Sequence, residues 1–323
     1  MNHAHRRPHV IAILAVPVVT ALLLTLFAWP SARLEPRDLP VGVAGAPPAA
    51  AAIEQRLAAR DGAFEVHRYA DEDGARQAIQ DREVYGAFVA TPGGLKVLSA
   101  SAASPAVAQL LSQAAGEAAN SGGTVVEDIV PAPRAAAVAS SVLPLVLAGI
   151  VAGVLAALLG SSGVRRAGLA LIGSALAGLA ATAIVQSWLD VVHGGWAANA
   201  AALSLTVLAI AATVAGGYAL LGEKGAILAA LAMVLVGNPF SAVGSAPEML
   251  PQPVGGIGQL MPPGAGANLL RSTGFFDGAA AAEYIAVLAV WALAGLALLL
   301  ISDLRHARPT RSTAPVESGR TAT

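Results

Sequence analysis

Apolar residues run along this chain in long unbroken blocks separated by short charged stretches, and only one region, between the first and second blocks, breaks into short alternating runs. A membrane-spanning helix needs about 20 mostly apolar residues to cross a hydrocarbon core of about 30 Å. Six blocks meet or approach that length: Val10–Trp29, Ala137–Gly160, Ala167–Leu189, Ala200–Leu221, Ala226–Gly237 and Ala280–Ile301, the fifth being short. The first follows Arg6-Arg7 and ends at Trp29-Pro30, a natural place for an interfacial aromatic anchor. Its rival reading is a cleaved signal peptide. Cleavage after Ala32 would put Pro30 where a small residue is wanted, so an uncleaved anchor is expected.

From Leu39 onward, β-like runs alternate with helical ones, the pattern of an α/β unit. LPVGVAG, FEVHRYA, YGAFVATP, LKVLSA and TVVEDIV are the expected strands. PAAAAIEQRLAAR, the acidic-fronted DEDGARQAIQDREV and about Pro105–Asn120 are the expected helices. The fold class is therefore an α-helical polytopic membrane protein of six spans with an inserted extracytoplasmic α/β domain. Its expected parts are an N-terminus at 1–9, a first span at 10–29, the α/β domain at 30–136, a five-span membrane domain at 137–301 and a disordered tail at 302–323.

Composition strengthens this division. Hydrophobic residues make up 56% and charged residues 12%, with a mean hydropathy of +0.67, against about 45–50% and 25% in an ordinary soluble domain. Arg33–Arg134 holds 13 acids and 9 bases, while Ala135–Ile301 holds nine charged residues in all. The first stretch suits water and the second suits lipid. With six crossings, Arg6-Arg7, Arg165-Arg166, Lys224 and the tail residues Arg305, Arg308 and Arg311 share one side, which the positive-inside rule assigns to the cytoplasm. The expected location is thus the cytoplasmic membrane, with both termini in the cytoplasm. Small residues such as Gly149, Gly153, Gly168 and Gly173 recur along the spans and point to close packing inside the bundle.

Candidate chemistry is sparse. A net charge of −1 gives no reason to expect a nucleic-acid partner, and the absence of cysteine removes thiolate chemistry and Cys-based metal sites. The span interiors carry no ionisable residue, which argues against proton-coupled transport and intramembrane proteolysis. Gly217–Lys224 approaches a phosphate-binding loop but has Glu223 at the lysine position and lies largely in a span. Glu65 and His67 read as a solvated strand face, Asp71-Glu72-Asp73 as a helix start, and His3, His5 and His9 as a polar flank. No enzyme activity and no cofactor is expected. The unusual segment is Gly237–Gly278, apolar yet dense in Pro and Gly, so it cannot be one helix. Non-helical backbone near lipid must be buried in protein or line a wet cavity. The fifth span is expected to break at Asn238-Pro239, followed by short re-entrant helical pieces, with Ala267–Thr273 helical and Arg271 directed at headgroups or an acid. A candidate outer gate is Asn238, Pro239, Pro262, Pro263, Gly264 and Arg271; a plug that merely caps the bundle is the alternative.

Three strings resemble the type-2 ABC transporter membrane subunits, the YhgE/Pip-like group in particular: VGVAG after the first span, YADEDGARQAIQDREVYGAFVATP, and LPQPVGGIGQLMPPGAGANLLRS before the last span. The resemblance implies a permease subunit, a homodimer or a pair with a sister permease, exporting a substrate with a separate cytoplasmic ATPase. Docking of that ATPase would fall on Arg6-Arg7 and Ser161–Arg166, with Glu223-Lys224 as a further cytoplasmic turn. The nine residues before the first span leave no room for the long amphipathic coupling helix of that family. The group also includes proteins resembling phage receptors and secretion-system accessories, so the alternative is a non-transporting scaffold or surface receptor.

Overall fold

A computed structural model describes residues 6–119, 123–132 and 134–306, with the side chains of 6–13, 118–119, 135–136 and 304–306 outside the description. The chain is mostly helical, with one small sheet. Helix α1 (Arg6–Ala32) runs past both ends of the predicted Val10–Trp29 span and contains Pro17 and Pro30.

The alternating region folds as its pattern dictates. Strands and helices follow in the order β1 (Leu39–Gly45), α2 (Pro47–Ala58), β2 (Phe64–Tyr69), α3 (Glu72–Gln80), β3 (Gly86–Thr91), β4 (Gly94–Ser99), α4 (Pro105–Ala119) and β5 (Thr124–Asp128). All five expected strands and all three expected helices are present. The sheet order is β2-β1-β3-β4-β5; only the β3–β4 hairpin is antiparallel. Successive strand residues point to opposite faces, so the sheet has two cores. Leu39, Val41, Phe88 and Val97 pack with Val107 and Leu111 of α4 on one face. Ala44, Ala87, Val89 and Leu98 pack with Ala75, Ala78 and Ile79 of α3 on the other. Asp71 caps α3, accepting from the Gly74 amide at 2.9 Å. His67 and Glu65 are 3.4 Å apart and both exposed to solvent by 40% or more, a solvated pair.

The membrane-type helices are α5 (Ala135–Leu159), α6 (Gly163–Thr182, continued by a π-helical turn to Trp188), α7 (Trp196–Leu221), α8 (Glu223–Leu231, continued by a π-helical turn to Gly237), α9 (Val254–Gln259), α10 (Pro262–Phe275) and α11 (Ala281–His306). Among the described residues, five helices are long and apolar enough to cross a membrane: α1, α5, α6, α7 and α11. The chain has the build of a multi-pass membrane protein. The α8 run, Glu223–Gly237, is too short to count as a sixth.

Helix α7 is the axis of the bundle: 67% of its apolar window is buried, against 33% or less for every other spanning helix. Gly149 and Gly153 let α5 lie directly on α7, where a Cβ would come within 2.8 Å of Ile210 and Val214 respectively. Gly168 instead faces open space. Helix α1 is only 6% buried and packs chiefly against the end of the α8 run and the turn after it.

Two boundaries differ from the sequence reading for identifiable reasons. Helix α6 starts at Gly163 rather than Ala167 because Ser162 caps it and the Asp303 carboxylate accepts from the Gly163 amide at 2.7 Å, satisfying a helix-start donor that would otherwise lack a partner. Helix α11 continues to His306, so the segment expected to be disordered from 302 begins as helix; residues 307–323 lie outside the described residues.

Candidate functional site at the junction of sheet and bundle

The apolar α8 run ends where proline demands it. Asn238 closes the π-helical turn through its amide to the Met233 carbonyl at 3.0 Å, and Pro239 opens a single 3-10 turn ending at Ala242 in the left-handed region (φ 52°). Pro262 and Pro263 occupy the first turn of α10, where a missing N–H costs nothing. This is why α10 is longer than the expected Ala267–Thr273 piece. Gly264 is required by crowding: a Cβ there would lie 2.2 Å from the Gly258 carbonyl. Helix α10 is buried along almost its whole length, whereas Ile257 of α9 and Leu260 just after it are exposed.

Arg271 does not face headgroups or an acid. It is 4% exposed, donates to the Asn268 side chain at 3.4 Å and makes a short contact with the Val243 carbonyl. Burial deep in α10 leaves the long guanidinium only these neutral acceptors.

A second arginine, from the sheet module, meets the same asparagine. Arg82 sits just after α3 at φ 64°, a region a non-glycine residue occupies at a cost. Its Nη1 donates to the Asn268 carbonyl at 3.1 Å and its Nη2 to Asn268 Oδ1 at 3.0 Å. The guanidinium also stacks over Phe276 and Tyr284, 5.3 and 5.5 Å from their ring centres. Asn268 Nδ2 donates in turn to Gln259 Oε1 at 2.6 Å, and Gln259 Nε2 to the Ser241 carbonyl at 3.2 Å. One buried asparagine therefore ties the module, α9, α10 and, through Gln259, the break after α8. Among the described residues, neither arginine forms an ion pair.

Further links hold this junction. Tyr85 of the module donates to Glu248 Oε2 at 2.9 Å. Burial pushes both groups up, the tyrosine well above its ordinary range and the carboxyl above the usual carboxylate value. The linker into the module pairs with the same stretch, Glu35 and Arg37 donating through their amides to the Met249 and Glu248 carbonyls at 3.1 and 3.0 Å. On the bundle side, Thr273 of α10 donates to Asn199 Oδ1 at 2.7 Å, and Asn199, fully buried on α7, donates to Gln186 at 3.0 Å and the His193 carbonyl at 2.6 Å. The junction also shares cores with the module: Phe276 packs into one sheet face and Ala246 and Met249 into the other.

Arg165, Arg166, Glu223 and Lys224 take no part in this junction. Arg166 donates to the Gly160 carbonyl at 3.0 Å and stacks on Tyr218 at 5.4 Å, and Arg165 reaches Ser161 at 2.6 Å. Both lie in the first turn of α6, inside the helix and not in the preceding loop. Glu223 and Lys224 are exposed at the start of α8. Arg6 and Arg7 open α1, with their side chains outside the described residues, as are His3 and His5 altogether. No family model, curated protein or solved structure matches this chain.

Proposed function

We propose that the chain is a permease subunit of the cytoplasmic membrane, crossing it six times with the sheet module outside and both ends in the cytoplasm, and working with a separate ATPase on a substrate still to be identified. The observation that carries this reading is the double attachment of α10. Asn268 fastens it to the module and Thr273 fastens it to the central helix α7, so displacement of the module displaces the segment that closes one end of the bundle. A domain that serves only as a tethered receptor needs no such connection.

One hollow inside the bundle of a single copy, lined by Val142, Val146, Leu203, Thr206, Pro263 and Leu270, measures about 30 Å3, space for water and not for a solute. A path would therefore lie between two copies or between this subunit and a sister permease, with lipid around the rest. The α8 run with α1 beside it supplies the remaining two crossings, the short run completing its passage through the break and the buried segment.

The reading predicts that a nucleotide-binding subunit co-purifies with the chain and that its ATPase rate changes on reconstitution. Intact protein that does neither contradicts it. A scaffold or surface receptor is the second reading, favoured by the exposed edge strand β5, whose Val125 and Val126 are open to solvent and could pair with an added strand. Deleting the module would not separate the two, because Phe276 and Met249 would lose their cores. Replacing both Arg165 and Arg166 with glutamine does: it should impair a permease and leave a receptor intact.

A further inference from the structure

Helices α2 and α4 share one face of the sheet without filling it. Between them runs a cleft of about 550 Å3 lined by Ile53, Leu57, Phe64, Phe88, Leu95 and Leu110, all but Phe88 only half-buried. Small-molecule sites commonly measure about 300–1,000 Å3 and are mostly apolar with a few placed polar groups. The cleft continues past Ile53, Arg56 and Leu95 into a second hollow of about 370 Å3 that reaches the β3–β4 turn. Well-packed interiors rarely leave such a trough, and one open to water keeps apolar surface wet without a structural return.

Its rim is cationic on one side. Arg56, in the last turn of α2, and Arg60, in the turn just after it, border the trough, with Gln113 and Glu117 on the α4 side. Among the described residues, neither guanidinium is ion-paired, whereas Arg68 nearby takes Glu54. A cation in the last turn suits the helix dipole, which accounts for Arg56 but not for an apolar trough beside it. An apolar channel with two free guanidinium groups at its edge fits a molecule with a hydrocarbon chain and an anionic head.

We propose that this cleft binds a single-chain anionic amphiphile, its chain along Phe64, Phe88 and Leu110 and its carboxylate at Arg56 and Arg60. The site is independent of the permease reading. The test uses the full chain in phosphatidylcholine nanodiscs titrated with cis-parinaric acid, whose fluorescence rises in apolar surroundings. A saturable signal above that of empty discs is expected. The double variant Arg56→Gln, Arg60→Gln should weaken it by about tenfold or more, as loss of charge-assisted hydrogen bonds predicts, and Leu110→Trp should abolish it by filling the trough. The methyl ester of the probe should bind the parent and the double variant alike. A signal no greater than that of empty discs, or one unchanged in the double variant, whose exposed substitutions leave the core intact, overturns the proposal.

Discussion

Asn268 carries more than its sequence neighbourhood suggests. Its side chain accepts from Arg82 and Arg271 and donates to Gln259. Asn268→Ala should cost about 1–3 kcal/mol, the price of leaving buried polar groups without partners, read as a lower thermal unfolding midpoint in detergent. Two acids outside the spans should respond to pH in opposite senses. Glu248 is raised above 4.5 by burial, so its contribution to stability is present below that value and is lost as pH rises through its folded-state pKa. Glu248→Gln should therefore unfold at a higher midpoint than the parent at pH 7, the gap narrowing toward pH 4.5. Glu127 is held down to about 2 by Arg76 and Lys96, bonded at 2.5 and 2.9 Å. Its contribution is present above 4.5 and disappears as pH falls toward 2. Glu127→Gln should lower the midpoint at pH 7, and this deficit should close with acidification. None of the junction's pairings was legible in the sequence. Arg82 lies in an ordinary charged helix end, and its partner is far along the chain, so no local pattern marks it. Arg271 was singled out as a cation in an apolar run, but its acceptors, an asparagine one turn away and a backbone carbonyl, carry no charge signal.

At the level of elements, hydrophobic periodicity located every strand and helix of the sheet module, because strand alternation and helix spacing are local properties of the chain. Proline and glycine content placed the break at Asn238-Pro239. Boundaries were less visible where long-range caps decide them: Asp303, from the last helix, fixes the start of α6. Only Ala267–Thr273 of helix α10 was expected from the sequence, because the Pro and Gly content before it argues against a longer helix. The structure resolves this by placing the prolines at its first turn, Gly264 against the Gly258 backbone, and Gly266 and Gly274 against the Thr206 and Val192 side chains. Close packing separates glycines that look alike in sequence. A Cβ at Gly295 of α11 would lie 2.3 Å from the Ala212 backbone of α7, while one at Gly168 meets nothing within 4 Å. Gly295→Val should wedge α11 from α7, costing about 1–3 kcal/mol or more as overpacking does, whereas Gly168→Ala should be neutral to mildly stabilising. Thermal midpoints of the two variants in the same detergent check this.

For the whole molecule, charge distribution was the most informative sequence signal, since it depends on where residues fall and not on contacts. It divided the chain into a water-compatible part and a lipid-compatible part, and the structure has a sheet module and a bundle of apolar helices at those places. What it could not reveal is that the two parts pack on each other, sharing cores through Phe276 and Met249 and a polar joint through Asn268. The permease reading rests on the bundle spanning the membrane with the module outside. The absence of cysteine allows a direct test with single-cysteine variants. Asp61→Cys reports on an exposed turn of the module and Lys224→Cys on the exposed start of α8. A membrane-impermeant maleimide applied to intact cells should label Asp61→Cys at once and Lys224→Cys only after the membrane is opened. Labelling of Lys224→Cys in intact cells, or protection of Asp61→Cys, would contradict the arrangement.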